Sequence, residues 1–206
     1  MSMTTLVSFW GLSLIFVIIP GADWAYTISA SIRGRHIPAV SGLILGYLVM
    51  TIIVALGVGS LVAEHTTFMM LLTFAGALYL IWLGLNMLRQ PVEPMVSKED
   101  TGLDSGLSAA AKGALVSGLN PKAFLFFLAF LPAFTVSEAV WSLPVQLFTL
   151  GMIYTLSCLV IYMLLGYGAH RVLSSRPEAT LIVSRLSGGV MLLLGLFLLY
   201  RQFSGD

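Results

Sequence analysis

Two ionisable side chains stand in the middle of apolar runs. Asp23 lies in the stretch IIPGADWAY and Lys122 in the stretch GLNPKAFLFF. A buried carboxylate can bind an ammonium group or take up and release a proton, and a buried ammonium can bind a carboxylate. The two residues therefore predict a polar centre that handles charged groups of a small molecule, protons, or both.

The two charges are predicted to lie at the same depth in a membrane. Asp23 precedes Arg33 by ten residues, and Lys122 follows Lys112 by ten. At ~1.5 Å per residue, each charge lies about 15 Å from the end of its span, or half of a ~30 Å hydrocarbon core. A charge there costs roughly 2.5–3.5 kcal/mol, so the two must pair, neutralise or face water.

A proline interrupts the chain just before each charge. The first break reads Pro20-Gly21-Ala22-Asp23, and the second reads Asn120-Pro121-Lys122, the order of an N-cap and a first helical residue. Each proline lacks the N–H that would bond the carbonyl four residues earlier, at Phe16 and Ser117. A new half-helix is predicted to begin at each break, with N–H groups and a positive dipole end that suit a carboxylate ligand.

A structural explanation of the same residues stays open at this point. Proline kinks are common in membrane helices, and Asp23 and Lys122 could form a static ion pair. Tyr26, six residues after Pro20, fits a lining role or ordinary packing equally well. Two matching breaks with opposite charges favour a substrate or proton pathway formed by Asp23, Lys122 and the breaks around them.

Composition places these residues in an integral membrane protein. Hydrophobic residues make up 58% of the 206 and charged residues only 9%, against about 25% charged in soluble domains. Runs of about 20 apolar residues predict membrane-spanning helices. The six predicted spans cover about 5–30, 38–62, 67–88, 113–134, 142–169 and 182–200.

Basic residues predict the orientation of these spans. Eight flank the spans on one side, against Arg201 alone on the other; the eight are Arg33, Arg35, Arg89, Lys98, Lys112, Arg171, Arg176 and Arg185. Because basic loops stay in the cytoplasm, both termini are predicted to lie outside it, on the periplasmic or extracellular face of a bacterial inner membrane.

A polar segment divides the chain into two blocks of three spans. Residues 89–111 read as a cytoplasmic linker between a first half, 1–88, and a second half, 112–206. An odd number of spans in each half gives the halves opposite orientations, as in inverted-repeat transporters. The predicted fold is all-α, with six transmembrane helices in two inverted three-helix repeats and helices 1 and 4 broken near the midplane.

Three motifs in this sequence resemble those of the LysE/RhtB family of amino-acid exporters. They are the first break, the stretch Gly76-Ala77-Leu78-Tyr79-Leu80-Ile81-Trp82-Leu83-Gly84, and the run from Asn120-Pro121-Lys122 to Leu131-Pro132. Ala22 stands where the family signature has a second proline. The resemblance covers nearly the whole chain and implies a secondary transporter that exports amino acids or close derivatives from the cytoplasm in exchange for protons.

Other function classes find less support in the sequence. A net charge of +1 argues against nucleic-acid partners, and no motif indicates an enzyme, a metal site or a cofactor. A metal-ion exporter, or a membrane-embedded enzyme or assembly factor using the same polar centre, remains an alternative. Gly42 and Gly46 predict close helix packing, within one chain or in a homodimer.

Overall fold

A computed structural model describes residues 1–58, 66–89, 105–136 and 139–172, and part of the stretch 185–203. The described elements are helices: α1 Met3–Ile18, α2 Ala22–Ile32, α3 His36–Ile53, α4 Thr66–Arg89, α5 Gly106–Gly118, α6 Pro121–Leu125, α7 Leu131–Ala133 and α8 Leu143–Val172. Two π-helical turns extend them, Val54–Val58 after α3 and Phe126–Phe130 between α6 and α7. The described residues between 185 and 203 are also helical.

Four of the predicted spans correspond to apolar helices of membrane-spanning character. Residues His36–Gly57 and Leu143–Gly168 are each long and apolar enough to cross a bilayer. Two further predicted spans coincide with bent helix pairs that are long and apolar enough when the two helices are taken together: α1 with α2, and α5 with the helical residues from Lys122 to Ala133. The all-helical membrane character predicted from composition is confirmed.

The remaining predicted elements are seen in part. Helix α4 coincides with the predicted third span, and the helical residues between 185 and 203 coincide with the sixth. Most of the predicted linker, residues 90–104, lies outside the described residues. Helix α5 begins at Gly106, inside the segment assigned to the linker, because the Ser105 hydroxyl accepts a hydrogen bond from the Ser108 N–H and caps it.

Glycines bring α3 and α5 into close contact. A Cβ atom at Gly46 would lie 2.7 Å from the Ala114 carbonyl oxygen, and one at Gly113 would lie 2.9 Å from the Leu43 nitrogen. Gly42 meets the Ala110 backbone in the same way. The close packing predicted for Gly42 and Gly46 therefore occurs within one chain, and a homodimer would need a different surface.

An aromatic core joins α1 to the second half of the chain. All five residues of the Phe126–Phe130 turn are buried. The centroid of the Phe126 ring lies 4.8 Å from that of the Phe16 ring in α1 and 4.5 Å from that of the Tyr154 ring in α8. These offset and tilted contacts add to the burial of apolar area. They pack α1 and α8 against the turn that follows α6.

Candidate functional site at the two helix breaks

The first break separates α1 from α2 by three residues and bends the chain by 58°. The last backbone bond of α1 runs from the Ile19 N–H to the Ile15 carbonyl. Pro20 has no N–H to continue the series. Gly21 is the N-cap of α2 and has no side chain to accept a capping bond. The first break therefore leaves carbonyl groups at the end of α1 that its own residues do not bond.

The second break is capped by its own residues. Asn120 is the N-cap of α6, and its side-chain oxygen accepts a 3.0 Å hydrogen bond from the Lys122 N–H. Pro121 is the first helical residue, as its order in the sequence predicted. The Asn120 N–H donates to the Ser117 carbonyl, one of the two predicted to be freed by the prolines. The chain bends here by 51°.

Lys122 reaches from the second break to the first. Its side chain is buried, and its ammonium nitrogen Nζ donates to the Phe16 carbonyl at 3.2 Å and to the Ile19 carbonyl at 3.0 Å. Phe16 is the other carbonyl predicted to be freed by a proline. A positive charge at the C-terminal end of a helix is stabilised by the helix dipole. Lys122 thus bonds the carbonyl groups that the first break exposes.

Asp23 is fully buried, and its two carboxylate oxygens have different surroundings. Oδ2 accepts hydrogen bonds from Asn120 Nδ2 at 2.7 Å and from the Tyr47 hydroxyl at 2.8 Å, with the Tyr162 hydroxyl at 3.4 Å. Oδ1 has no hydrogen-bond partner in the part of the chain that the structure describes. One oxygen is therefore anchored by protein donors, and the other keeps its capacity to accept a hydrogen bond or a proton.

The hydrogen bonds of the two predicted charges do not join them to each other. The Nζ atom of Lys122 donates to backbone carbonyls, whereas Asn120 supplies the link from the second break to Asp23. A Cβ atom at Gly21 would lie 3.4 Å from Nζ. The lysine therefore passes within van der Waals contact of the first break at Gly21.

Two aromatic residues near Asp23 face different parts of the chain. The Trp24 indole Nε1 donates to the Val17 carbonyl at 2.9 Å, so it bonds another backbone group at the end of α1. The Tyr26 hydroxyl donates to the Ala109 carbonyl in α5. This bond ties Tyr26 to a helix that precedes the second break, rather than to the carboxylate of Asp23.

Tyr47 is the site residue that sequence reasoning missed. It follows Gly46 directly, so the close approach of α3 to α5 fixes its position. Tyr162 in α8 is a second tyrosine at this carboxylate, with its hydroxyl 3.4 Å from Asp23 Oδ2. A tyrosine in the middle of an apolar helix needs a partner for its hydroxyl, and that requirement was the signal available for Tyr47.

The sequence of this chain is similar to a known protein family and to several individual proteins. The family model of LysE type translocators matches residues 14–202. An uncharacterized membrane protein of Synechocystis is 30% identical over 97% of both chains. A leucine efflux protein of Enterobacter is 27% identical over 57% of each chain, and the chemotactic transduction protein ChpE of Pseudomonas aeruginosa is 31% identical over 54% of this chain and 56% of its own.

No solved structure matches this chain. The family model, in contrast, covers most of it, including both helix breaks, Asp23 and Lys122. The resemblance inferred from the three motifs is therefore confirmed, and the chain belongs to the family of LysE type translocators.

Proposed function

We propose that this protein is a secondary transporter that exports amino acids or close derivatives from the bacterial cytoplasm by proton antiport. The observation that carries the proposal is Asp23, a fully buried carboxylate with one oxygen held by protein donors and the other without a partner in the described residues. Ionisable groups inside a membrane mark substrate and proton pathways. The family and the leucine efflux relatives support an amino acid as the substrate.

Antiport follows if the proton and the substrate compete for Asp23. A protonated carboxyl group is neutral and binds an ammonium group weakly, whereas the ionised carboxylate binds it strongly. Release of a proton to the cytoplasm would therefore prepare Asp23 for the ammonium group of an amino acid. Protonation from the opposite side would displace that ammonium group outward. One carboxylate that alternates between two cations couples the two fluxes.

The substrate carboxylate is assigned to Lys122 and the half-helix N-termini. An ammonium group has three N–H donors, and the backbone carbonyls of Phe16 and Ile19 take two of those of Lys122. The third donor, together with the N–H groups of the first turn of α2, would bind a carboxylate. Asp23 and Lys122 would then hold the two ends of an amino acid.

The proposed architecture is the six-helix inverted repeat. Each half would contribute one broken helix to the centre, and the bends of 58° and 51° support that correspondence. The distribution of basic residues supports a cytoplasmic connecting segment 89–111 and termini on the opposite side of the inner membrane. Rocking of one half against the other would expose the centre to each side in turn.

The proposal is tested with purified protein in liposomes that carry a pH gradient and are preloaded with a mixture of the twenty amino acids. We expect gradient-dependent loss of one or a few amino acids from liposomes with the native chain. The variant Asp23→Asn is expected to lose this coupled flux at unchanged protein level. Unselective or absent loss from correctly folded native protein would overturn the amino-acid proposal.

The same preparation separates the alternatives. A metal-ion exporter would move divalent cations and leave the amino-acid content unchanged. A static lock at the centre would tolerate neutralisation of both charges, since a neutral pair can replace a buried ionic one. We expect the double variant Asp23→Asn, Lys122→Met to be as inactive as Asp23→Asn alone, and normal export by it would show that the charges are only structural.

A further inference from the structure

Among the buried serine and threonine hydroxyl groups of the described residues, that of Thr27 alone has no hydrogen-bond partner. Five other buried hydroxyl groups donate a hydrogen bond to the backbone carbonyl four residues earlier in their own helix. They belong to Ser13, Thr51, Ser117, Thr155 and Ser157. Thr27 is fully buried in α2, yet its Oγ1 atom has no hydrogen-bond partner within the described residues. A buried polar group of this kind needs an explanation, and a bound ligand is one.

Thr27 lies directly beside Asp23. The two residues are four apart in α2, so they share one helix face with their Cβ atoms about 5–6 Å apart. Oδ1 of Asp23 is the second oxygen on this face without a partner in the described residues. A carboxylate and a hydroxyl group therefore share one face of α2, and within the described residues neither Oδ1 nor Oγ1 has a hydrogen-bond partner.

Resting on the proposed function, we propose that Thr27 Oγ1 and Asp23 Oδ1 together bind the primary ammonium group of the transported amino acid. An ammonium group has three donors and no acceptor, so one nitrogen can bond both oxygens at once. The two oxygens are not hydrogen-bonded to each other. A single proton on Asp23 would therefore leave Thr27 unbonded in this arrangement, whereas an ammonium group bonds both.

This assignment makes Thr27 the residue that distinguishes the substrate from the proton. Asp23 serves both cations, and Thr27 contributes only when an ammonium group is bound. The loss of its hydroxyl group should weaken substrate binding and leave the protonation of Asp23 unchanged. The expected effect therefore falls on the KM of export and not on its pH dependence.

The test uses L-leucine export from liposomes by three variants. Thr27→Val has the shape of threonine without the hydroxyl, and we expect its KM to rise about tenfold with the maximal rate within about twofold. Thr27→Ser keeps the hydroxyl, and its KM should stay within about twofold of the native value. Thr155→Val is the matched control, because its lost bond lies within one helix. If Thr27→Val does not fold, Thr27→Ala replaces it.

Competition on the native chain supplies a second readout. The des-amino analogue 4-methylpentanoate should compete poorly with L-leucine. In Thr27→Val, the ratio of the affinity for L-leucine to the affinity for this analogue should fall about tenfold. An unchanged KM in Thr27→Val, or a change confined to its pH profile, would overturn the assignment of Thr27. Failure of the proposed function gives a different result, since the native chain itself would then export no amino acid.

Discussion

The two helix breaks are alike in sequence position and bend but unlike in how their backbone groups are bonded. The second break is capped locally, by the side chain of Asn120. The first break has no side-chain cap. Lys122 donates a hydrogen bond to a carbonyl at the C-terminal end of α1, and Asn120 donates one to Asp23. The second half of the chain therefore adds bonds to the first break beyond the local one from Trp24 to the Val17 carbonyl, whereas the backbone of the second break is capped by its own Asn120.

This asymmetry suggests which break moves during transport. A self-capped break stays intact when its surroundings shift, because its hydrogen bonds are local. A break held from another segment can be released when that segment moves or when a ligand replaces its bonds. The first break contains Asp23, the proposed coupling residue. A change in the charge of Asp23 therefore acts at the break that depends more on hydrogen bonds from another segment of the chain.

The largest effect that tests this comparison is expected from Lys122→Met. Methionine keeps much of the length and removes both bonds to the carbonyls of Phe16 and Ile19. Each hydrogen bond to a charged group contributes about 1.5–3 kcal/mol, so we expect export to fall by about 100-fold or more. Amide hydrogen exchange should rise at the start of α2 more than at the start of α6.

Lys112→Met is the control for this variant, since Lys112 is an exposed lysine on α5. It should leave both export and hydrogen exchange close to native values. Faster exchange in α6 of Lys122→Met, with α2 unchanged, would contradict the view that the second half supports the first break.

A smaller effect is expected from Asn120→Ser, which separates the two roles of Asn120. Serine is an equally good N-cap, so α6 should keep its start, but it lacks the amide that donates to Asp23 Oδ2. We expect about a tenfold loss of export at nearly unchanged thermal stability. Asn120→Ala removes the cap as well and should cost about 1 kcal/mol more in stability. Equal stability of the two variants would show that the local cap is unimportant.

Much of this site was predictable from sequence because it depends on local chemistry. Proline breaks, the asparagine cap and the carbonyls left at Phe16 and Ser117 follow from residue type and spacing. The contacts of Tyr47 and Lys122 do not, since both depend on how distant helices pack. Sequence placed Lys122 level with Asp23 but gave no direction for its side chain, and the structure directs it to backbone carbonyls.

The smallest expected effect concerns Ala22, where the family signature has a second proline. Ala22 is the first residue of α2, a position that accepts proline because its N–H has no intrahelical partner. Gly21 before it is already extended, at φ −165° and ψ −161°, and so avoids the α region that a following proline disfavours. Ala22→Pro should therefore stabilise the protein by about 0.4–1 kcal/mol through the unfolded state.

The consequence of Ala22→Pro for transport decides whether the first break must flex. If this break opens and closes within each cycle, a stiffer backbone should lower the maximal export rate by about two- to threefold and leave KM unchanged. Ala22→Ser is the matched control, because it keeps the N–H and the backbone freedom, and its rate should remain native. An Ala22→Pro variant that is more stable and equally fast would show that the break acts as a rigid corner. The asymmetry between the two breaks would then concern stability alone.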